Sequence, residues 1–245
     1  MSKQDKADRR QVIDQIRKKQ AGTEKRRGYM IVAVAVVLGL LIIGAAAWKP
    51  LKDKWDAREF ADLQVADIGA PADVCQDVTT EPANGMQEHV EPGTALDYAG
   101  SPPAFGRHYN VWAGFETKFA TQADRPPVGE LIHNLEHGYT ILWYDETAAD
   151  DPEQMDQIRA IADKFTGSDN QRTKFKAVPW TSEDGKPFPD DQHVALTHWS
   201  AGGAGNTDPE QQVGVWQYCS EPSGAAVESF MQEYPYTDSP EPAGG

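Results

Sequence analysis

Apolar positions in this chain fall into one unbroken run and a set of shorter periodic segments. The run is Met30 to Trp48, nineteen residues without a charge. A bilayer core takes about 20 apolar helical residues. Tyr29 and Trp48 flank the run, where amphipathic rings favour the membrane–water interface. The pattern predicts a transmembrane helix over residues 29–48.

Beyond it the clearest local pattern is Pro126 to Tyr144. Pro126 and Pro127 suit the first turn of a helix, where a missing N–H costs nothing. Val128, Leu131, Ile132 and Leu135 form an apolar stripe, and Gly138 suits the position just past the last turn. The β-branched and aromatic segment Tyr139 to Tyr144 predicts a strand. Met155, Ile158, Ile161, Ala162 and Phe165 recur at helical spacing and predict a helix over Pro152 to Phe165. Lys174 to Trp180 and His193 to Trp199 read as strands. Glu221 to Tyr234 reads as a last helix, with Val227, Phe230 and Met231 facing inward. From Ile68 to Gly106, Gly, Pro, Asp and Thr predict loops and short strands, one of them holding His89 and Val90.

The order helix–strand–helix–strand–strand–helix predicts an α/β or α+β fold. Helices pack on a small mixed sheet, preceded by a single transmembrane helix. A strand–helix–strand unit crosses right-handedly to a parallel neighbour; the order of the strands stays open. The chain divides into a basic tail over 1–27 with an amphipathic helix around Arg9 to Lys19, the membrane helix, a helical stalk over 49–63, a globular domain over 64–234, and a disordered Pro/Glu/Gly tail over 235–245.

Charge adds a direction. Residues 1–27 carry ten Lys/Arg and four Asp/Glu; residues 28–245 carry 13 and 34, in a chain of net charge −15. Lys25-Arg26-Arg27 abuts the apolar run. The positive-inside rule therefore puts the N-terminus in the cytoplasm and the acidic remainder outside, in a single-pass cell-membrane protein. A signal peptide cleaved near Gly44-Ala45-Ala46-Ala47 is the competing reading. The run exceeds the roughly 7–15 residues of an ordinary signal core, and either reading exports the domain. The acidic balance argues against nucleic acid, whose phosphates demand a basic patch. Nothing names a protein partner.

Cys75 and Cys219 both lie on the exported side, where disulfides persist. A bridge between them closes a loop worth about 5 kcal/mol in the chain-entropy model; two unpaired buried thiols are the alternative. The spacing fits no Cys-x-x-Cys motif.

The candidate chemistry is histidine. Four of the six histidines fall within 49 residues: His89, His108, His133 and His137. His133-Asn134-Leu135-Glu136-His137-Gly138 places two imidazoles and a carboxylate on one helix face, at i, i+3 and i+4. His108 ends the stiff turn Ser101-Pro102-Pro103-Ala104-Phe105-Gly106-Arg107. Three readings compete. In the first, the histidines bind a divalent transition metal, zinc or copper, with Glu136 a ligand or a group behind one. In the second, His133-x-x-Glu136-His137 is an inverted zinc-hydrolase motif with Glu136 as general base. In the third, the cluster is an architectural hydrogen-bond network. Trp112, Trp143, Trp180, Trp199 and Trp216 are expected in the core or at its edge. No Ser-His-Asp elbow, phosphate loop or nucleotide fingerprint appears, and no catalytic residue is assigned.

His89-Val90, Tyr98, Pro102-Pro103 with Gly106 and His108, and the His133–Gly138 block together resemble the domain-of-unknown-function family 3105. The likeness is to actinobacterial members with one N-terminal membrane helix. It covers roughly Gln64 to Tyr234. Where the family reads Pro-Pro-x-Ser-Gly-x-His, this chain carries Phe105 in place of the serine. The resemblance implies location and domain extent; it implies no activity. The leading expectation is non-enzymatic metal binding. A structural or partner-binding envelope domain comes second and a metallohydrolase third.

Overall fold

A computed structural model of the chain describes residues 29–30, 32–48, 51 and 60–244. The basic tail, its amphipathic helix and most of the stalk lie outside the described residues. The chain divides into two compact units, Met1–Trp55 and Asp56–Gly245.

In the first unit residues 29–30 and 32–48 are helical. Leu40, Leu41, Ile42 and Ile43, which point about 100° apart in turn, are all exposed. The helix is thus apolar around its whole circumference. Among the described residues no helix is long and apolar enough to cross a membrane. Residues 32–48 span about 25 Å at ~1.5 Å per residue, against a hydrocarbon core of roughly 30 Å.

The second unit is a mixed α+β domain. Its strands are β1 (Thr79–Pro82), β2 (His89–Val90), β3 (His108–Tyr109), β4 (Thr140–Tyr144), β5 (Phe175–Pro179), β6 (Val194–Ser200) and β7 (Val213–Cys219). Its α-helices are α1 (Val128–Glu136), α2 (Glu146–Asp150), α3 (Pro152–Asp163) and α4 (Gly224–Glu233). Five strands form one sheet in the order β1-β7-β6-β4-β5, while β2 and β3 form a separate parallel pair. Only β4 and β5 run parallel within the larger sheet, Thr140 facing Phe175; the other neighbours are antiparallel. The parallel pair brackets α2 and α3, the crossover arrangement that a strand–helix–strand unit favours.

Side chains alternate across the sheet with period two. Leu142, Tyr144, Phe175, Val194, Leu196 and Val215 join Ile158, Ile161, Val227 and Phe230 in one core cluster. Ile141, Trp143, Val178, Ala195 and Trp199 join Leu131, Ile132 and Leu135 in another. Hence α3 and α4 cover one face and α1 the other, and β4 is buried throughout. The small sheet expected from the sequence is a five-stranded layer between helices.

Three differences from expectation have local causes. Strand β7 escapes recognition because Gly214 interrupts it; a Cβ there would meet the Phe105 ring at 2.3 Å. Trp112 is half exposed, whereas Trp143, Trp180, Trp199 and Trp216 are buried. Residues 235–244, read as a disordered tail, pack onto the domain. The Asp238 carboxylate accepts from Ser200 Oγ (2.8 Å), Ala201 N (3.1 Å) and Gly203 N (2.7 Å). Lys174 Nζ donates to Pro242 O (3.1 Å) and Gly244 O (2.6 Å). His198, whose two ring nitrogens face Tyr139 O and Asp238 O, ties the same segment to the sheet.

Cys75 and Cys219 are bonded to each other, 144 residues apart. The bridge joins the loop before β1 to the end of β7. A Cys75→Ala/Cys219→Ala variant should lose about 2–5 kcal/mol of unfolding free energy, read from the denaturant midpoint against wild type. An unchanged midpoint would show that the bridge adds nothing.

A candidate metal centre at the end of α1

Two local structures deliver the side chains. The first is α1 with its C-terminus. His137 is the C-cap, with φ −83° and ψ 8°. Gly138 follows at φ +88°, where a Cβ would meet Tyr236 O at 2.2 Å. Gly138 N donates to Leu135 O (2.9 Å) and Tyr139 N to Asn134 O (3.1 Å). This paired closure satisfies the helix's last carbonyls and turns the chain directly into β4. Each residue of the His133–Gly138 block thereby has a place. His133 and Glu136 point outward together, one turn apart. Leu135 is buried in the core. The Asn134 amide exchanges two bonds with Ala113, Oδ1 accepting from N (3.0 Å) and Nδ2 donating to O (2.9 Å). That clamp fixes the loop carrying Trp112 against the helix.

The second is the short parallel ladder. His89 pairs in register with His108, and Val90 with Tyr109. Partners in register project to the same side of a ladder, so the two imidazoles emerge together. Their ring centroids are 4.4 Å apart, and they lie 4.8 Å from His133 in both cases. The Pro-rich loop before β3 places Gly106 so that its carbonyl meets the His108 ring.

Three imidazoles and one carboxylate converge. Glu136 Oε2 lies 3.0 Å from His108 Nε2, 3.4 Å from His89 Nε2 and 3.8 Å from His133 Nε2. One ligand atom from each of the four residues lies within 4.8 Å of all the others. His108, His133 and Glu136 are buried, and His89 keeps an edge to solvent.

The surrounding bonds determine what this hollow presents. His108 Nδ1 lies 2.8 Å from Gly106 O and His133 Nδ1 lies 2.6 Å from Tyr109 O. A carbonyl only accepts, so both Nδ1 atoms donate. A neutral imidazole has one proton, so Nε2 of each neutral ring turns a lone pair inward. His133 is such a ring: burial and the neighbouring His108 push its pKa below the usual histidine value, against the Tyr109 and Glu136 contacts. Glu136 is also held in place. Its Oε1 accepts from Gln87 Nε2 (2.8 Å). Gln87 Oε1 in turn accepts from Gln212 Nε2 (2.9 Å), and Gln212 Oε1 from Trp199 Nε1 (3.2 Å). Burial alone would raise the Glu136 pKa. The His108 bond and charge, the Gln87 bond and His89 outweigh it and leave the carboxyl below its usual value. Oε2 meets His108 Nε2 at hydrogen-bond distance (3.0 Å), a bond that needs a second proton on His108. With neutral rings the same nitrogens turn lone pairs to the carboxylate, and a cation at the centre takes the place of that proton.

Distances agree with that reading. Ligands about 2.0–2.1 Å from a tetrahedral metal stand about 3.3–3.4 Å from one another. The three separations from Glu136 Oε2 bracket this edge. His108 and His133 also show the second bond that metal-binding histidines make, the far N–H donated to a fixed acceptor.

His137 caps the helix with its ring 4.5 Å from that of His133. Its ligand atom falls in a second group with Glu136 and Glu241, Nε2 standing 3.6 Å from Glu241 Oε2. Burial, then the His133 charge, push the His137 pKa down to about 4. Trp112 stands edge-on to both rings, 5.2 Å from His133 and 5.1 Å from His137. The sequence offers no sign of Trp112, Gln87, Gln212 or Glu241 at this place. Amides and aromatics are common everywhere, and Glu241 sits in a segment with no periodic pattern.

The family described as protein of unknown function DUF3105 matches residues 89–244. The match starts at His89 and runs through the packed C-terminal segment, so it begins later and ends later than the extent read from the sequence. No curated protein and no solved structure matches the chain.

The depressed histidines set an acid limit on the metal-free fold. Above about pH 6.5 His137 is neutral folded and unfolded, and makes no difference. Below that the unfolded chain takes up the proton first, so stability falls until the folded pKa near 4 is reached. The loss attributable to His137 is about 3 kcal/mol at 1.36 kcal/mol per pKa unit, and His133 adds in the same direction. Chemical denaturation of the chelator-treated chain between pH 7 and pH 4 should show this decline, reduced in His137→Gln. An equal slope in the variant would remove His137 from the account.

Proposed function

This chain belongs to the DUF3105 family, and we propose that it is a membrane-anchored protein whose exported domain binds a divalent transition metal. The observation that carries the proposal is the convergence of His89, His108 and His133 Nε2 on Glu136 Oε2 with both fixed Nδ1 hydrogens turned away. A polar hollow lined by acceptors, buried on three sides, calls for a positive centre. Three imidazoles and a carboxylate suit zinc by ligand type and number, and copper(II) by the affinity of imidazole for it. The C-terminus of α1, where His133 and Glu136 sit, adds the negative end of the helix dipole. His89, exposed at its edge, offers the path by which an ion enters.

Four protein ligands and a carboxylate engaged as one of them favour holding metal over hydrolysing a substrate. The architectural alternative finds support in the Gln87–Gln212–Trp199 chain, which by itself satisfies Glu136 Oε1. It accounts for His108 at 3.0 Å from Oε2 as one more hydrogen bond; it gives no reason for His89 and His133 to share that oxygen.

The anchor rests on the charge-free run Met30–Trp48, on Lys25-Arg26-Arg27 before it, and on apolar side chains exposed all round the helix at residues 32–48. With the N-terminus cytoplasmic, the domain lies outside the cell membrane, where its disulfide is stable.

Metal analysis of the full-length chain, purified in detergent on a resin without chelated metal, tests the site. Wild type should retain zinc or copper through size exclusion, and His108→Ala/His133→Ala should lose it. Added metal at 100 times its dissociation constant should stabilise wild type by about 2.7 kcal/mol and leave the variant unmoved. Equal retention or equal stabilisation in the two proteins would remove the site.

A further inference from the structure

We propose that His137, Glu241 and Glu136 form a second metal site, so that the buried Glu136 carboxylate serves two neighbouring ions. One ligand atom from each of the three lies within 4.8 Å of the others. The inference depends on the first site only through Glu136.

The strongest pointer is His137 itself. Its side chain is buried, yet its Nδ1 has no hydrogen-bond partner. Its Nε2 stands 3.6 Å from Glu241 Oε2, beyond hydrogen-bond length. A buried imidazole left without bonds costs free energy. The 3.6 Å gap is too long for a proton to bridge and close to the ~3.3–3.4 Å edge between two ligands of one tetrahedral ion.

The segment bearing Glu241 is held on both sides. Glu241 N donates to Glu136 O (3.0 Å), an otherwise open carbonyl at the helix end. Upstream, the Asp238 carboxylate takes bonds from Ser200, Ala201 and Gly203. Downstream, Lys174 Nζ grips Pro242 O and Gly244 O together with His137 O (2.8 Å). Lys174 thereby gives its three donors to carbonyls, and its charge lies near enough to His137 to lower that ring's affinity for a proton. Gly244 lies so close to the His137 ring that a Cβ there would come within 2.5 Å of Nε2. Both groups share the negative end of α1. Trp112, at matched distances from His133 and His137, covers the two together. Two carboxylates and one imidazole form an oxygen-rich set beside a nitrogen-rich one. The second ion is therefore of the zinc or manganese type, harder in its ligand preference than the first.

The test uses the full-length chain in detergent, stripped with chelator and titrated with zinc ion, with retained metal counted after size exclusion. Wild type should hold two zinc ions per chain, and Glu241→Gln should hold one. Glu241 is half exposed, so this substitution leaves folding intact. A wild type that holds one ion, with Glu241→Gln also holding one, would overturn the second site and leave the first standing. A wild type that holds none would overturn both. Copper(II) provides the second readout. One equivalent should give an isolated paramagnetic signal in electron paramagnetic resonance. A second should diminish it by magnetic coupling across Glu136, while in Glu241→Gln the signal stays isolated. Two retained copper ions with uncoupled signals would overturn the sharing of Glu136.

Discussion

A buried carboxylate charge governs this domain. Glu136 is fully buried at the end of a helix, whose dipole is hostile to a negative group there. Such a charge survives only when paired and hydrogen-bonded. Around it the fold supplies two different answers on its two oxygens. Oε1 receives a conventional donor from Gln87, backed by Gln212 and Trp199. Oε2 receives three imidazole nitrogens, two of which have their protons committed elsewhere. The first answer is architecture. The second is a group of four side chains that could hold a metal ion.

The rest of the domain can be read as what holds those nitrogens still. The sheet, covered on both faces, gives β4 a fixed start, and the Gly138 closure hangs α1 from it within three residues. Asn134 then locks the helix to Ala113, and the β2–β3 ladder sets His89 beside His108. Sites carried on regular elements keep their geometry better than sites on free loops. Even the mobile-looking parts are tied. The Pro-rich loop ends on a carbonyl that orients His108, and the C-terminal residues close over the far side of Glu136.

Much of this is legible in the chain, and the limit is physical. Helix α1, its glycine stop and the following strand can be read because propensity, capping and periodicity agree over Pro126 to Tyr144. His133 and Glu136 follow from helical spacing alone. His89 and His108 are visible as residues but not as neighbours, since pairing of two-residue strands leaves no periodic trace. The i, i+4 spacing puts His137 beside His133, and the two rings stand 4.5 Å apart; that its Nε2 faces Glu241 leaves no trace in the sequence. Strand β7 is hidden by Gly214, where a Cβ would meet the Phe105 ring at 2.3 Å and the Trp216 ring of β7 itself at 2.7 Å. The packed C-terminal segment is hidden because its order comes from side chains elsewhere, Lys174 and Ser200 among them.

Residues 238–244 bury little apolar surface, and Pro, Glu and Gly do not hold a chain in one shape by themselves. Their order is bought by polar contacts: the Asp238 carboxylate, the Lys174 ammonium and the open carbonyl of Glu136. Lys174 is fully buried, and burial lowers its pKa to about 8, so a charge is kept inside at a cost. Three carbonyls offset that cost only if the segment is in place to supply two of them. Lysine and tail therefore depend on each other, and both converge on the carbonyl side of His137. A sheet-and-helix core would be complete without this arrangement. What the arrangement adds is a second wall for the pocket beside Glu136, with a carboxylate set into it.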